Sequence, residues 1–527
     1  MSGRKTRRVG FGLAATAAAG AVGLSAMMNA GFARADDIGL VIGGSGDPIP
    51  GPDYVFAANG LYLSHVYPDT ITSFYQATST DPSDIPGFYG NGVFTPEGAY
   101  PLFGLGVQQL YYNYPLDSDG FPGPSTSVGQ GAEILESTIL ADEADGEGST
   151  VFGYSQSSTV AGFTMQLLDP YGKNDSEQLD APQFLLIADP NNPNGGLFER
   201  FNGFETLDGK TTVDPLNLAS LGISFDGATP SGDFTTSIYT VEYDGFADFP
   251  RYPLNFLSDV NAFLGIEELH GTYLNAAAGE TGPTPTDIAG ATLLLGSETY
   301  NPITNPDPCA DCTTNYYMID TLDGNPITPP LVGLLPQSLQ DLLGPDLTYL
   351  INLGYGDGSL GYSDTPADTP TPFGLFPDVS LSTVFSTLFT DTEQGITKLE
   401  NDPTAFTVSL DPAASEQSFS DLLSALSADA ANPAASLTEL VNGISSATST
   451  AYSLLLPTAD IVNSLVTSLP AYDTSIFVDT LSNGDLIDAL GLPAAATTAI
   501  FTLAAGFEVS IISDAASQIS ADFSGLF

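Results

Sequence analysis

The sequence predicts an α/β fold on a mostly parallel sheet, and three observations carry that expectation. Short apolar runs that read as buried strands alternate with segments of helical spacing through residue 275. The runs end in turn-forming residues, as at Gly43-Gly44-Ser45-Gly46 and Asp189-Pro190. Hydrophobic residues make up 42% of the 527, with 31 Phe and 23 Tyr, enough for a large core and too many for a disordered chain.

Residues 38–42, Ile-Gly-Leu-Val-Ile, read as the first buried strand, running into the Gly-rich turn. Residues 107–114 read as a second, closed by Pro115. Residues 130–140 set Ala132, Leu135, Ile139 and Leu140 at helical spacing, and a polar loop then leads into Thr150-Val151-Phe152. A helix is expected over 157–168, strands over 184–187 and 237–243, and a helix over 254–266. Residues 280–375 carry many Pro, Gly and Thr with short apolar bursts, and read as an irregular cap segment. From 376 the chain is rich in Ala, Ser, Thr and Leu with helical periodicity, a helical appendage. Pro493 interrupts the long uncharged run between Asp488 and Glu508, which favours a packed helix over a membrane span.

The chain holds 10 Lys and Arg against 63 Asp and Glu, a formal charge of −53. Charged residues are only 14%, where about 25% is usual, so bases are missing rather than acids added. Sequence-independent nucleic-acid binding is excluded, because it needs clustered Lys and Arg. Arg4, Lys5, Arg7 and Arg8 precede an apolar Ala/Gly-rich stretch that ends in Ala33-Arg34-Ala35, the layout of a secretory signal with cleavage before Asp36. The mature chain would keep five bases against 63 acids, a charge of −58. That charge favours a neutral or apolar substrate and opposes anchoring to anionic lipid. The protein is expected to be exported, either secreted or held in the cell envelope, with no stable membrane span after cleavage; protein partners are not readable.

The sharpest chemical feature is Gly153-Tyr154-Ser155-Gln156-Ser157 between a strand and a helix, a nucleophile-elbow pattern with Ser in the last place. Such a turn lifts Ser155 clear of the sheet and aims the Gln156 N–H at a developing oxyanion. The Ser45 N–H, in the loop after the first strand, is the expected second donor. A phosphate cradle there is excluded, since no Walker lysine follows and no G-x-G-x-x-G opens a helix. Only two histidines exist. His65 precedes Ser155, whereas the order in α/β-hydrolases is Ser, acid, His, which selects His270 as the base. The acid should follow the 237–243 strand. Asp248, before Pro250, is preferred, Asp244 is the alternative, and Asp189 is weaker. Cys309 and Cys312, a lone C-x-x-C in a loop-like segment, read as a small disulfide rather than a metal or redox site. No metal or cofactor is called for.

With these residues in hand the chain resembles the mycobacterial PE-PPE domain family. The resemblance rests on Gly153 to Ser157, on Ala188-Asp-Pro-Asn-Asn-Pro-Asn-Gly-Gly196 with Arg200-Phe201, and on Tyr243-Asp-Gly-Phe-Ala-Asp-Phe-Pro250. It continues through Tyr252-Pro-Leu-Asn255, His270-Gly-Thr-Tyr273, Tyr316-Tyr317 and Asn352 to Tyr355, about residues 38 to 360. A signal-like N-terminus stands where the family carries PE or PPE helical modules. The resemblance implies an α/β-hydrolase fold, a triad of Ser155, Asp248 and His270, and esterase activity on short- to medium-chain acyl esters. Some similar proteins transfer acyl groups to cell-envelope glycolipids, and a non-catalytic envelope interaction protein is the reading from another class. The expected organisation is a signal over 1–35, a hydrolase core over 36–279, a cap-like segment over 280–375 that completes the domain, and the helical region over 376–527.

Overall fold

Seven strands form the central sheet of the computed structural model: β1 (Ile38–Ile42), β2 (Gly92–Val93), β3 (Ser149–Tyr154), β4 (Gln183–Ile187), β5 (Thr236–Val241), β6 (Thr292–Leu293) and β7 (Thr314–Ile319). Their order is β6-β7-β5-β4-β3-β1-β2, and every neighbouring pair is parallel except β6 with β7. The structure describes residues 38–67, 92–100, 110–145 without 119, 148–168, 182–205, 211–297 without 233, 314–401 and 455–524. Residues 1–35, the segment 402–454 and the pair Cys309 and Cys312 lie outside these, with the expectations placed on them.

The strands are apolar on both faces because both are covered. Side chains alternate across each strand, so one face receives Leu40, Ile42, Val151, Phe184, Leu186 and Ile238. The other receives Val41, Phe152, Leu185, Ile187, Tyr239 and Val241. On the first face lie α2 (Ser127–Asp145) and α3 (Gln156–Leu168), through Leu135, Ile139, Val160 and Met165. Leu140, expected on that stripe, is exposed. On the second lies α1 (Pro52–Ala58), which runs on as a π-helical turn, Asn59–Leu63, burying Val55, Leu61 and Tyr62.

Two expectations need correction. Residues 110–114 form no strand; they run irregularly to a cis Tyr114–Pro115 bond, while 107–109 are outside the described residues. The 280–375 segment is more than a cap, since it supplies β6 and β7 to the sheet. Tyr317 of β7 stacks on Tyr239 of β5 with centroids 4.5 Å apart, which explains why so turn-rich a segment keeps a strand.

Helix α4 (Phe256–Glu268) follows β5, and α5 (Gln337–Asn352) and α6 (Leu381–Asn401) follow β7. The appendage is α7 (Leu455–Val466), α8 (Ser468–Ser482) and α9 (Leu486–Ser524). Pro493 does not interrupt α9. A proline inside a helix costs about 3 kcal/mol, but buried Ala489, Leu492, Ala495, Ala496 and Ala499 surround this one, so tertiary packing offsets the loss. Among the described residues α9 alone is long and apolar enough to cross a membrane. In this fold its alanine face joins the same core as α2 and α3.

Candidate active site

Strand β3 ends at Tyr154, and Ser155 takes the left-handed conformation, φ 58°, before α3 begins at Gln156. That turn brings the chain back on itself. A Cβ at Gly153 would stand 2.8 Å from the Ser157 carbonyl oxygen, so only glycine fits. Ser157 can replace the second glycine of the usual pattern because its hydroxyl is used: Oγ accepts the Tyr154 N–H at 2.7 Å. The neighbouring strands leave the sheet similarly, through Ala188 at φ 51° and Tyr243 at φ 68°.

His270 follows α4 and carries the shape of the site. Its Nε2 lies 2.7 Å from Ser155 Oγ, and its Nδ1 lies 2.9 Å from both carboxylate oxygens of Asp244. The imidazole is 13% exposed and Asp244 fully buried. Asp244 also accepts the Phe246 N–H at 3.1 Å and the Tyr273 hydroxyl at 2.8 Å. Phe246 meets the imidazole edge-on at 4.7 Å, and the Tyr154 hydroxyl donates to the His270 carbonyl.

The acid beside the histidine is therefore Asp244, and the preference for Asp248 is wrong. Tyr243, in its left-handed conformation, turns the chain as it leaves β5, and it is Asp244, the next residue, whose carboxylate meets His270. Asp248 accepts the Tyr243 N–H at 3.0 Å instead. Burial pushes its carboxyl well above the ordinary range, with the Arg200 guanidinium only partly opposing this. Asp189 is engaged elsewhere, accepting from the Asn191 N–H and the Thr229 hydroxyl. His65 is exposed and bonds only its neighbour Ser64 among the described residues. Gly265 of α4 lets the helix close on the acid-bearing turn, since a Cβ there would meet the Tyr243 carbonyl at 1.8 Å.

Ser45 and Gln156 meet through their side chains as well as flanking the nucleophile. Ser45 Oγ donates to Gln156 Oε1 at 2.8 Å, and Gln156 Nε2 donates to Ser127 Oγ at 2.8 Å and to the Gly98 carbonyl at 3.1 Å. The Gln156 N–H belongs to the first turn of α3, where no intrahelical acceptor exists. No described group of three or more His, Cys, Asp or Glu is placed to hold a metal ion.

Ser155 and His270 open into a cavity of about 360 Å³ whose walls are almost wholly apolar. Its roof was not foreseen. Ile461 and Leu465 of α7 and Ile500, Leu503 and Phe507 of α9 line it, so the helical appendage is part of the site. Tyr273 and Tyr154 were also missed as site residues, although the His270-Gly-Thr-Tyr273 block contains the former.

A parallel sheet, a left-handed serine at the end of a central strand, and the chain order Ser155, Asp244, His270 define the α/β-hydrolase class. Residues 86–356 match the PE-PPE domain, and the chain belongs to that family. It is 36% identical over 94% of its length to the uncharacterized PPE family protein PPE28 of Mycobacterium tuberculosis, spanning 68% of that relative. It is 36% identical over 64% of its length to esterase PE16 and 33% identical over 68% to PE family protein PE3, both of the same organism. It spans 51% and 61% of those two. No solved structure matches the chain.

Proposed function

We propose that the protein is an exported serine esterase that hydrolyses neutral, short- to medium-chain acyl esters through an acyl-serine. The observation that carries this reading is the run of contacts from Asp244 through His270 to Ser155 at the mouth of an apolar cavity. His270 Nε2 takes the Ser155 proton as Oγ attacks the ester carbonyl, and Asp244 holds the imidazolium that forms. The N–H groups of Gln156 and Ser45 receive the oxyanion. Collapse breaks the ester bond, and the leaving alcohol takes the proton from His270. Water then gives a proton to His270 and attacks the acyl carbon, and Ser155 recovers its proton as the acid departs. A relative named esterase supports the reaction class.

The test is a fluorophosphonate probe on the mature protein, followed by turnover of p-nitrophenyl butanoate. Wild type should be labelled and Ser155→Ala should not; an unlabelled wild type, or equal labelling of both, overturns the reading. Export rests on the basic, apolar and Ala33-Arg34-Ala35 pattern. Sequencing the N-terminus of protein recovered outside the cytoplasm should find Asp36 first, and a chain found intact in the cytoplasm would refute it.

A further inference from the structure

Resting on the esterase reading, we propose that α7 and α9 form the measuring wall of a slot for a straight acyl chain, and that distance along α9 sets the length accepted. Ile500, Leu503, Ala504 and Phe507 all line the cavity. Their spacing puts them on one face of the helix. At 1.5 Å per residue that face runs about 10 Å.

The two ends of the face differ. Phe507 stands at the catalytic end: its ring lies 6.3 Å from Phe246, which itself meets His270 at 4.7 Å. Ile500 lies two turns away. The α7 wall carries Ile461, Ser464 and Leu465, facing Leu218 and Leu221 of the segment after the 211–213 strand. That wall is fastened: Ser464 Oγ lies 2.7 Å from Ser220 Oγ, which donates to the Asp460 carbonyl at 2.8 Å. Among the described residues, no carboxylate, lysine or arginine lines the cavity. An uncharged, unbranched chain fits that chemistry, its carboxyl carbon at Ser155 and its tail running along α9.

Thr458 Oγ1 of α7 donates to Glu508 Oε1 at 2.7 Å, beside Phe507. Ser464, further along α7, therefore lies deeper in the slot, and blocking the slot at two depths tests the proposal. Ala504→Phe narrows it one turn or less from Phe507, and Ser464→Phe narrows it on the α7 wall. Each is compared with wild type on p-nitrophenyl acetate, butanoate and octanoate, using ratios of kcat/KM. Each methylene kept out of the slot costs about fourfold. Ala504→Phe should lower the butanoate-to-acetate ratio. Ser464→Phe should leave that ratio near the wild-type value and lower the octanoate-to-butanoate ratio at least tenfold. Unchanged ratios in both, or the same truncation in both, overturn the slot. Ser464→Leu and Ala504→Leu apply the same ordering if circular dichroism shows either Phe variant unfolded. Fluorophosphonate labelling separates the failures: a labelled wild type with flat ratios sinks the slot alone, while an unlabelled wild type sinks the esterase reading beneath it.

Discussion

Asp248 donates its backbone N–H to the carbonyl of Asp244 at 2.6 Å, so one turn holds both carboxylates and sends them to different partners. Asp244 reaches His270, and Asp248 reaches back to the Tyr243 N–H. Asp244→Asn should therefore lower kcat about 10⁴-fold, because an amide cannot hold the imidazolium or fix its tautomer. Asp248→Asn should keep kcat within about tenfold, since an amide oxygen there can still accept the Tyr243 N–H and the contact to His270 belongs to Asp244. Ester turnover by the two variants decides the matter, and a larger loss at Asp248 would return the role to it.

Tyr273 stands behind the acid, with its hydroxyl donating to Asp244 Oδ2 while accepting the Val241 N–H at 2.7 Å. Tyr273→Phe loosens the carboxylate and leaves a buried N–H unpaired, which costs about 1–3 kcal/mol. The expected result is a kcat roughly tenfold lower at little changed KM, together with a lower thermal midpoint. A fall in stability with kcat intact would make Tyr273 structural only.

The left-handed backbone of Ser155 stores strain in the fold. Ser155→Gly and Ser155→Ala should both abolish turnover, but they should not fold equally well. Glycine adopts φ 58° freely and alanine does not, so the glycine variant should be the more stable by about 1 kcal/mol. Chemical denaturation of the two side by side measures the difference, and equal midpoints would show the elbow to be relaxed.

Several buried acids act on stability in one direction. Burial pushes the Glu97 carboxyl up to about 8, Asp226 and Glu242 to about 7, and Asp189 to about 6, from ordinary values of 3.8 for aspartate and 4.5 for glutamate. Between those limits the folded chain holds protons that the unfolded chain has lost. Stability is therefore fully present below about pH 4 and falls as pH rises through the folded values, to about pH 8. The thermal midpoint should drop by about 5 °C or more between pH 5 and pH 8. Glu97→Gln should remove part of that slope, and a midpoint that rises over the window would contradict the assignment.

The elbow and the strands that alternate with helices were legible because local rules govern them: a continuous apolar run stopped by turn residues, a helix start and small residues forced by crowding. The histidine followed from scarcity and chain order. The acid did not, since Asp244 and Asp248 follow the same strand and only the left-handed turn at Tyr243 decides which carboxylate meets His270. Ser45 and Gln156 were placed for their N–H groups, while the bond between their side chains needed a loop and a helix start brought together from 111 residues apart. The roof was the least legible part. Its Ala-rich helices carry no chemical motif, and Phe507 approaches Phe246 across more than 250 residues of sequence.

That long reach sets an order of assembly. Ser155, Asp244 and His270 are all present once the chain has been made through residue 270, yet the walls at Ile461 and Phe507 are synthesised roughly 200 residues later. A ribosome-bound chain can thus hold these three residues while the cavity beside them has no α7 or α9 wall. On the proposed reading, the enclosed site forms only when the tail folds back over the sheet.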